Sequence, residues 1–194
     1  MTKVIAFFQP RWAEWEAGSV LPLLKLFFKA DVNIVTPDGA PVTSIGGIRA
    51  GADGAFTDVA PDDADVFIAI GSDAWINYHD DRYFEVLRNA LERGRVVGTI
   101  CAATIGAARA GVFNSRSHTS NGRGWLQQHV PDYAGAALYE DVAHAVSDDR
   151  LVTAPGSAPN TFASEILRQI RPEAAQAIAE NEALMRREWL PQAV

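Results

Sequence analysis

Short apolar runs that alternate with helical patterns constrain the fold of this chain more than any other feature of its sequence. Such runs lie at 4–8, 32–35, 66–70 and 96–100, and turn residues bound them. The run at 4–8 is continuously apolar, which is typical of a strand that is buried on both faces of a sheet. Because helical patterns separate the runs, we expect βαβ units that form an α/β/α sandwich around a mainly parallel central sheet.

The remaining elements are predicted from periodicity and from residues that begin or end helices. Helices are expected at about 13–29, 83–93, 102–110, 160–170 and 173–189. Pro22 should kink the first of these helices or delay its start. Residues 41–58 depart from the βαβ pattern and favour a small antiparallel hairpin. A second antiparallel pair is expected at 143–146 and 151–154.

Composition and charge exclude several classes of protein. A content of 48% hydrophobic residues supplies the core of one domain, which we expect to cover residues 1–194. The net charge of −7 disfavours nucleic acid or an anionic membrane as a partner. No apolar stretch approaches the ~20 residues of a membrane-spanning helix, and the N-terminus lacks the features of a signal peptide. The single cysteine cannot form an intramolecular disulfide, so we expect a cytoplasmic location.

Cys101 is the candidate reactive residue of the sequence. It directly follows the apolar run at 96–100 and directly precedes a predicted helix of small residues. In parallel sheets, ligands bind outside the carboxyl ends of the strands, and a helix N-terminus favours a thiolate. A lone cysteine is often only an inert buried side chain. The strand-to-helix position favours a reactive thiolate instead.

The segment GTICAA at 98–103 is one of four segments whose order and composition resemble a known family. The others are FQPRWAEWE at 8–16, IGS at 70–72 and LVTAPGS at 151–157. Together they resemble the DJ/PfpI superfamily, which includes the parkinsonism-associated deglycase and the PfpI-type intracellular proteases, relatives of class I glutamine amidotransferases. The resemblance covers the chain up to about residue 170 and implies a flavodoxin-like three-layer sandwich.

The resemblance also assigns roles to residues of this sequence. Cys101 would be the nucleophile or the oxidised centre, and Glu16 would be a protonated carboxyl beside it, since burial and a nearby thiolate both disfavour the ionised form. Glu14, two residues earlier, competes for that role. The backbone N–H groups of Ser72 and Ala102 would form an oxyanion site.

Histidine and tryptophan complete the candidate site. PfpI-type members commonly have a histidine directly after the cysteine, where this chain has an alanine. The deglycase-like branch has its histidine a strand later, and His118 matches that place. His118 would assist proton transfer, or would merely shape the pocket. Gly71 belongs to the pocket loop, and Trp15 and Trp75 would wall the pocket or act as packing anchors.

The predicted function is that of a cysteine-dependent enzyme that acts on a small carbonyl or amide compound. Glyoxalase- or deglycase-like chemistry fits the missing adjacent histidine better than peptide hydrolysis does, because expelling an amine needs a general acid. No cofactor and no metal are implied. The resemblance also implies a homodimer, to which a hairpin around 44–48 would contribute. The alternatives are a thiol stress sensor whose Cys101 is oxidised to sulfinic acid, and a holdase-type chaperone.

Overall fold

The computed structural model describes residues 1–188, and a seven-stranded sheet lies at its centre. The strands, in chain order and including a separate hairpin, are β1 (Lys3–Phe7), β2 (Asp31–Thr36), β3 (Val42–Thr43), β4 (Arg49–Ala50), β5 (Gly54–Ala55), β6 (Val66–Ala69), β7 (Val96–Ile100), β8 (Val146–Asp148) and β9 (Leu151–Ala154). The large sheet has the order β5-β2-β1-β6-β7-β9-β8, and only the pair of β8 and β9 is antiparallel. Strands β3 and β4 form the small antiparallel hairpin that the sequence predicts.

Helices cover both faces of the sheet. They are α1 (Glu14–Phe28), α2 (Asp81–Glu92), α3 (Ala103–Arg109), α4 (Arg123–His129), α5 (Pro159–Ile170) and α6 (Ala175–Arg186), with 3₁₀ turns at Phe56–Asp58, Asp73–Asn77, Ala134–Leu138 and Pro172–Ala174. Helices α1, α5 and α6 pack into the core on one face, and α2, α3 and α4 pack into the core on the other. The predicted three-layer α/β/α sandwich with a mainly parallel sheet is confirmed.

The two cores share the strands between them because successive side chains of a strand point to opposite faces. In β1, Ile5 and Phe7 enter the core beside α2 and α3, whereas Val4 and Ala6 enter the core beside α1 and α5. This double burial explains why the strands are continuous apolar runs rather than alternating ones. Within residues 1–188, no helix is long and apolar enough to span a membrane.

Several boundaries differ from the expected ones. Strand β8 begins at Val146 instead of ending there, because Asp149 and Arg150 form the turn, with φ of 43° and 68°. Helix α1 continues through Pro22 without a delayed start. Helix α4 and the 3₁₀ turn at Ala134–Leu138 were not predicted. Of the expected last helix, the end at Trp189 lies outside the described residues.

The sheet order brings four loops together at one edge. Strands β1, β6, β7 and β9 are consecutive neighbours and parallel, so their carboxyl ends lie side by side. The residues that follow them are 8–13, 70–72, 101 and 155–158. The four segments of the predicted site therefore meet at one edge of the sheet.

Candidate active site

Cys101 occupies a strained turn between a buried strand and a helix. Its φ is 58°, in the left-handed region that non-glycine residues seldom adopt and that costs roughly 1–2 kcal/mol. The Cys101 N–H donates to the carbonyl of Ala154 at 2.9 Å, and the Cys101 carbonyl accepts the Thr104 hydroxyl at 2.6 Å. All five residues of β7 are buried, whereas Cys101 is partly exposed. The turn lifts the thiol out of the sheet.

Glu16 lies beside the thiol because the start of α1 is fixed to the loop after β6. The Ala13 N–H donates to the Gly71 carbonyl at 3.0 Å, and the Gly71 N–H donates to Glu16 Oε2 at 2.7 Å. The Glu16 side chain is fully buried. Its other oxygen, Oε1, has no hydrogen-bond partner within residues 1–188, and it lies on the same side as the Cys101 thiol, since both atoms are close to Gly156.

Two glycines make room for the carboxyl and the thiol to approach. A Cβ atom on Gly71 would lie 2.6 Å from Glu16 Oε2 and 2.7 Å from the Cβ of Cys101. A Cβ atom on Gly156 would lie 2.8 Å from Cys101 Sγ and 3.2 Å from Glu16 Oε1. Cβ contacts under 3.0 Å essentially never occur, and each position has at least one, so any side chain there would displace the pair.

The choice between Glu14 and Glu16 is resolved by the structure. The Glu14 carboxylate accepts hydrogen bonds from the Ser44 hydroxyl and the Gly46 N–H in the tip of the β3–β4 hairpin. The Ser44 hydrogen bond is the main reason that the pKa of Glu14 is lowered. Glu14 therefore binds the hairpin to α1, and Glu16 is the carboxyl that faces Cys101.

The carboxyl and the thiol both titrate above their ordinary ranges. Burial raises the pKa of Glu16 from 4.5 to about 7, against the lowering effect of the Gly71 N–H. Burial, and then the Glu16 charge, raise the pKa of Cys101 to about 11, although Asn121 and the Ala102 N–H lower it. The helix N-terminus and a hydrogen-bond donor were expected to give a thiolate at neutral pH, but burial acts in the opposite direction, so the thiolate stays a prediction.

The two pKa values describe a pair that holds one proton between about 7 and 11. The Glu16 charge raises the pKa of the thiol, whereas the thiol lowers the pKa of the carboxyl, so the second proton of the pair is the harder one to remove. A thiolate forms in this range when the shared proton lies on Glu16. In that state Glu16 is the protonated carboxyl that the resemblance implies, and Cys101 is the reactive thiolate.

Asn121 is a residue of the site that sequence reasoning missed. Its Nδ2 donates to Cys101 Sγ at 3.2 Å, and its Oδ1 accepts the Gly156 N–H at 2.9 Å. It stands three residues after His118.

Ser72 and Ala102, the candidate donors of the oxyanion site, belong to the loops that follow β6 and β7. The Ser72 hydroxyl donates to the Pro10 carbonyl at 2.5 Å and accepts the Ala74 N–H at 3.1 Å, so its side chain is bound within the loop. Within residues 1–188, the Ser72 N–H has no backbone carbonyl as partner. The Ala102 N–H is close enough to the thiol to lower the pKa of Cys101.

His118 is enclosed rather than presented to the thiol. Its ring is fully buried, stacks on Phe113 at 4.2 Å between centroids, and meets Tyr133 and Tyr139 edge-on. Its Nδ1–H donates to the Arg116 carbonyl at 2.9 Å, and its Nε2 has no partner within residues 1–188. Burial lowers its pKa. The side-chain donor to the sulfur is an asparagine and not this histidine, so direct proton transfer through His118 stays a prediction.

The two candidate tryptophans differ in position. Trp15 is half exposed, and its Nε1–H donates to the Gly156 carbonyl at 3.0 Å, which places it at the rim of the site. Trp75 is fully buried, stacks on Phe56 and Tyr83, and donates its Nε1–H to the Ile70 carbonyl at 2.7 Å. Trp75 is therefore a core residue behind the pocket loop, and its assignment as a pocket wall is corrected.

The groups at this edge suit nucleophilic chemistry at a carbonyl. They are a partly exposed thiol, a carboxyl that titrates near neutrality, and N–H donors around the sulfur. Among residues 1–188, no three His, Cys, Asp or Glu side chains cluster as a metal site requires.

Comparison with known proteins agrees with this geometry. The sequence profile of the DJ-1/PfpI family matches residues 2–169. The chain is 32% identical over 175 residues to a Bacillus subtilis protein named uncharacterized protease YoaZ, with 87% of this chain and 83% of that protein covered.

Solved structures show the same relationship. The DJ-1 superfamily protein Atu0886 of Agrobacterium tumefaciens superimposes with a TM-score of 0.85 at 32% identity, covering 96% of this chain and all of that one. A thiJ/pfpI family protein of Bacillus anthracis gives a TM-score of 0.78 at 30% identity, with 87% and 82% covered. On this evidence from sequence and structure, the chain belongs to the DJ-1/PfpI family.

Proposed function

We propose that this protein is a cysteine-dependent enzyme that acts on small carbonyl or amide compounds. One observation carries the proposal: a partly exposed thiol lies between two glycines and against a buried carboxyl whose facing oxygen has no N–H or O–H donor among residues 1–188. A merely structural cysteine needs neither the strained turn nor the adjacent carboxyl. Both features are explained if the sulfur must be reached by a substrate and must exchange a proton.

The first step is attack of the sulfur on a carbonyl carbon. Glu16 Oε1 accepts the thiol proton, and the thiolate electron pair forms the C–S bond while the carbonyl π pair moves onto oxygen. The backbone N–H groups of Ser72 and Ala102 donate to that oxygen. The proton on Glu16 then neutralises the oxyanion, which gives a hemithioacetal when the substrate is an aldehyde.

A 2-oxoaldehyde is the substrate class that the site favours. From the hemithioacetal, Glu16 moves a proton from the former aldehyde carbon to the neighbouring carbonyl carbon, and the hemithioacetal hydroxyl proton passes to the oxygen on that second carbon, which gives a 2-hydroxy thioester. Water then hydrolyses the thioester, so that the net reaction adds one water and yields a 2-hydroxy acid. No amine leaves in this series of steps. Amide hydrolysis instead needs a group that protonates the leaving nitrogen, and Glu16 alone would have to serve.

The test is a screen of 2-oxoaldehydes, amides and peptides with wild-type protein and matched variants. Cys101→Ser and Glu16→Leu should each reduce turnover by at least about 10³-fold, because they remove the nucleophile and the proton acceptor. Glu14→Leu is the matched control, because that carboxylate binds the hairpin and should leave turnover within a few-fold. His118→Ala should slow turnover without abolishing it. Turnover that survives in Cys101→Ser would contradict the proposal.

Thiol oxidation is a second candidate function, and the free Glu16 Oε1 is the observation that favours it. Two peroxide molecules would each transfer one oxygen atom to the sulfur and leave as water, which converts the thiolate to a sulfinate. A protonated Glu16 would donate to a sulfinate oxygen. Intact-mass spectrometry after peroxide treatment tests this function. If wild type shows no turnover but gains two oxygen atoms, and Glu16→Leu stops at another oxidation state, the sensor is favoured.

A homodimer is part of the proposal. Ile45 and Ile48 in the tip of the hairpin are 52% and 56% exposed, and the Ile45 N–H donates to the Trp12 carbonyl, so the tip lies against the start of α1 near the exposed Trp15. Apolar exposure beside the site is typical of an interface. Sedimentation equilibrium should show a species of twice 21.0 kDa, and Ile45→Lys should dissociate it. A wild-type protein that sediments only as a 21.0 kDa species at micromolar concentration would refute the dimer.

A further inference from the structure

The Asn121 carboxamide joins two groups of the site at once. Its Nδ2 lies 3.2 Å from Cys101 Sγ, and its Oδ1 lies 2.9 Å from the Gly156 N–H. A backbone N–H can only donate, so the Gly156 contact fixes the amide with its oxygen toward the backbone. The Nδ2 group is therefore directed at the sulfur. If the amide were turned around, Nδ2 and the Gly156 N–H, which are both donors, would face each other.

The backbone before Asn121 is anchored at two preceding residues. The Thr119 N–H donates to the Thr153 hydroxyl at 2.8 Å, and the Ser120 and Thr104 hydroxyls are 2.7 Å apart. The Ser120 N–H also donates to the Tyr139 hydroxyl at 3.2 Å. These contacts attach residues 119 and 120 to β9, α3 and the loop before β8. The backbone that carries the Asn121 carboxamide is therefore fixed to three elements.

A neutral donor is suited to this position. A thiolate accepts hydrogen bonds strongly and a thiol accepts them weakly, so an N–H directed at sulfur favours the ionised form. Burial and the Glu16 carboxylate act in the opposite direction. Because an amide does not titrate, its contribution persists at every pH at which the fold is intact.

We propose that Asn121 stabilises the Cys101 thiolate and thereby moves the shared proton from the sulfur to Glu16. Asn121 is itself exposed, so the carboxamide lies at the rim of the site, between the sulfur and the solvent. The consequence for turnover rests on the proposed function. The effect on the thiol does not, because it requires no substrate.

The test is the pH dependence of Cys101 alkylation by iodoacetamide. The chain has one cysteine, so all of the alkylation reports on this site. Asn121→Ala should raise the midpoint by about half a unit to one unit, which slows alkylation about three- to tenfold below the midpoint. Asn121→Asp should raise it further, because the carboxylate keeps an acceptor for Gly156 but places a negative charge beside the sulfur.

Asn160→Ala is the matched control. The Asn160 Oδ1 accepts the Ser19 hydroxyl at 3.1 Å, so this change also removes an amide hydrogen bond at the contact of α1 with α5, and the midpoint should not move. Circular dichroism verifies that each variant is folded, and Asn121→Asp remains decisive if the alanine variant unfolds. An unchanged midpoint in the folded Asn121 variants would overturn this inference and leave the proposed function standing. Turnover that survives in Cys101→Ser would instead overturn the proposed function alone.

Discussion

The Cys101 region and the His118 region both contain a buried titratable group with an unpartnered atom, yet their surroundings differ. Glu16 Oε1 faces a partly exposed thiol across space that Gly71 keeps open. His118 Nε2 is enclosed by aromatic rings, and its ring stacks on Phe113 at 4.2 Å. Burial raises the pKa of the carboxyl and lowers that of the imidazole, so both groups favour the neutral form. Access for a substrate, and not a shifted pKa, distinguishes a candidate reactive site from a core residue.

The two regions are nevertheless joined through the short segment that ends at Asn121. The Tyr139 ring packs edge-on against His118, and its hydroxyl donates to the Ser120 carbonyl at 3.2 Å. Asn121, the next residue, reaches Cys101. The His118 region therefore supports the segment from which a donor contacts the sulfur, and we expect its variants to change stability more than reactivity.

The strongest test of the difference between the two regions is a glycine-to-alanine substitution in each, which adds one carbon atom. Gly71→Ala places a Cβ atom 2.6 Å from Glu16 Oε2, so the carboxyl must move. Misplacement by about 1 Å costs roughly 10²-fold in rate, and we expect that loss in turnover and a comparable loss in Cys101 alkylation. Kinetic assays and thermal unfolding of the same preparation measure reactivity and stability together.

Gly135→Ala is the counterpart in the His118 region. Its Cβ atom would lie 2.4 Å from the Phe113 carbonyl oxygen and 3.1 Å from the His118 ring. Because a backbone atom cannot move aside cheaply, we expect destabilisation by about 1–3 kcal/mol, while the folded fraction keeps its alkylation rate. The comparison fails if Gly135→Ala inactivates the folded protein more than Gly71→Ala does.

Glu16 should make the free energy of unfolding depend on pH. Its pKa is 4.5 in an unfolded chain and about 7 in the fold, so the folded state favours the protonated form. Its stabilising contribution is complete below pH 4.5 and is lost as the pH rises to about 7, which amounts to about 3 kcal/mol. Urea unfolding of wild type and Glu16→Gln across this range should show a loss that the neutral variant lacks. Parallel pH profiles of the two proteins would contradict the raised pKa.

His118 should produce a pH dependence of the opposite sign. Its pKa is lowered by burial and by Arg123, against the raising effects of the Arg116 carbonyl and of Glu140. Stability is therefore present above the ordinary pKa of 6.5 and is lost as the pH falls toward the lowered value, by up to about 1.4 kcal/mol per pH unit. His118→Phe, which keeps a ring against Phe113, should remove this loss. A profile that still falls in the variant would assign the loss to another group.

The sequence predicted the sheet better than the directions of side chains. Strand β7 has the predicted bounds because a short run rich in β-branched residues, VVGTI, ends at a turn. Helix α4 was missed because it begins after Gly122 with no side-chain cap and has only one buried residue, Leu126. The start of β8 was misplaced because Asp149 and Arg150 adopt a left-handed turn that their residue types do not indicate.

The candidate site was predictable in part for the same reason. Residues two apart on a helix point about 160° away from each other, so Glu14 and Glu16 face different partners. Only the contacts of Glu14 with the hairpin and of Glu16 with Gly71 show which of the two lies at the site. Asn121 had no local signal, because its partners lie 20 residues earlier and 35 residues later. Trp75 and His118 have residue types that suit a pocket, which is why the sequence made them candidates. Their burial in the core could not be predicted, because it depends on contacts between segments that are distant in the chain.

The smallest expected effect concerns the Trp15 indole at the rim of the site, which supports the Asn121 amide through Gly156. Trp15 donates to the carbonyl of Gly156, whose N–H holds the oxygen of Asn121. Trp15→Phe keeps a ring but removes this donor, so the amide loses only indirect support. We expect the alkylation midpoint of Cys101 to rise by about 0.2 units, because a half-exposed hydrogen bond contributes little and acts here through two others. Trp125→Phe, a half-buried indole on α4, is the control and should leave the midpoint unchanged. If Trp15→Phe raised the midpoint as much as Asn121→Ala does, the amide would owe its orientation to the indole, and Gly156 alone would not fix it.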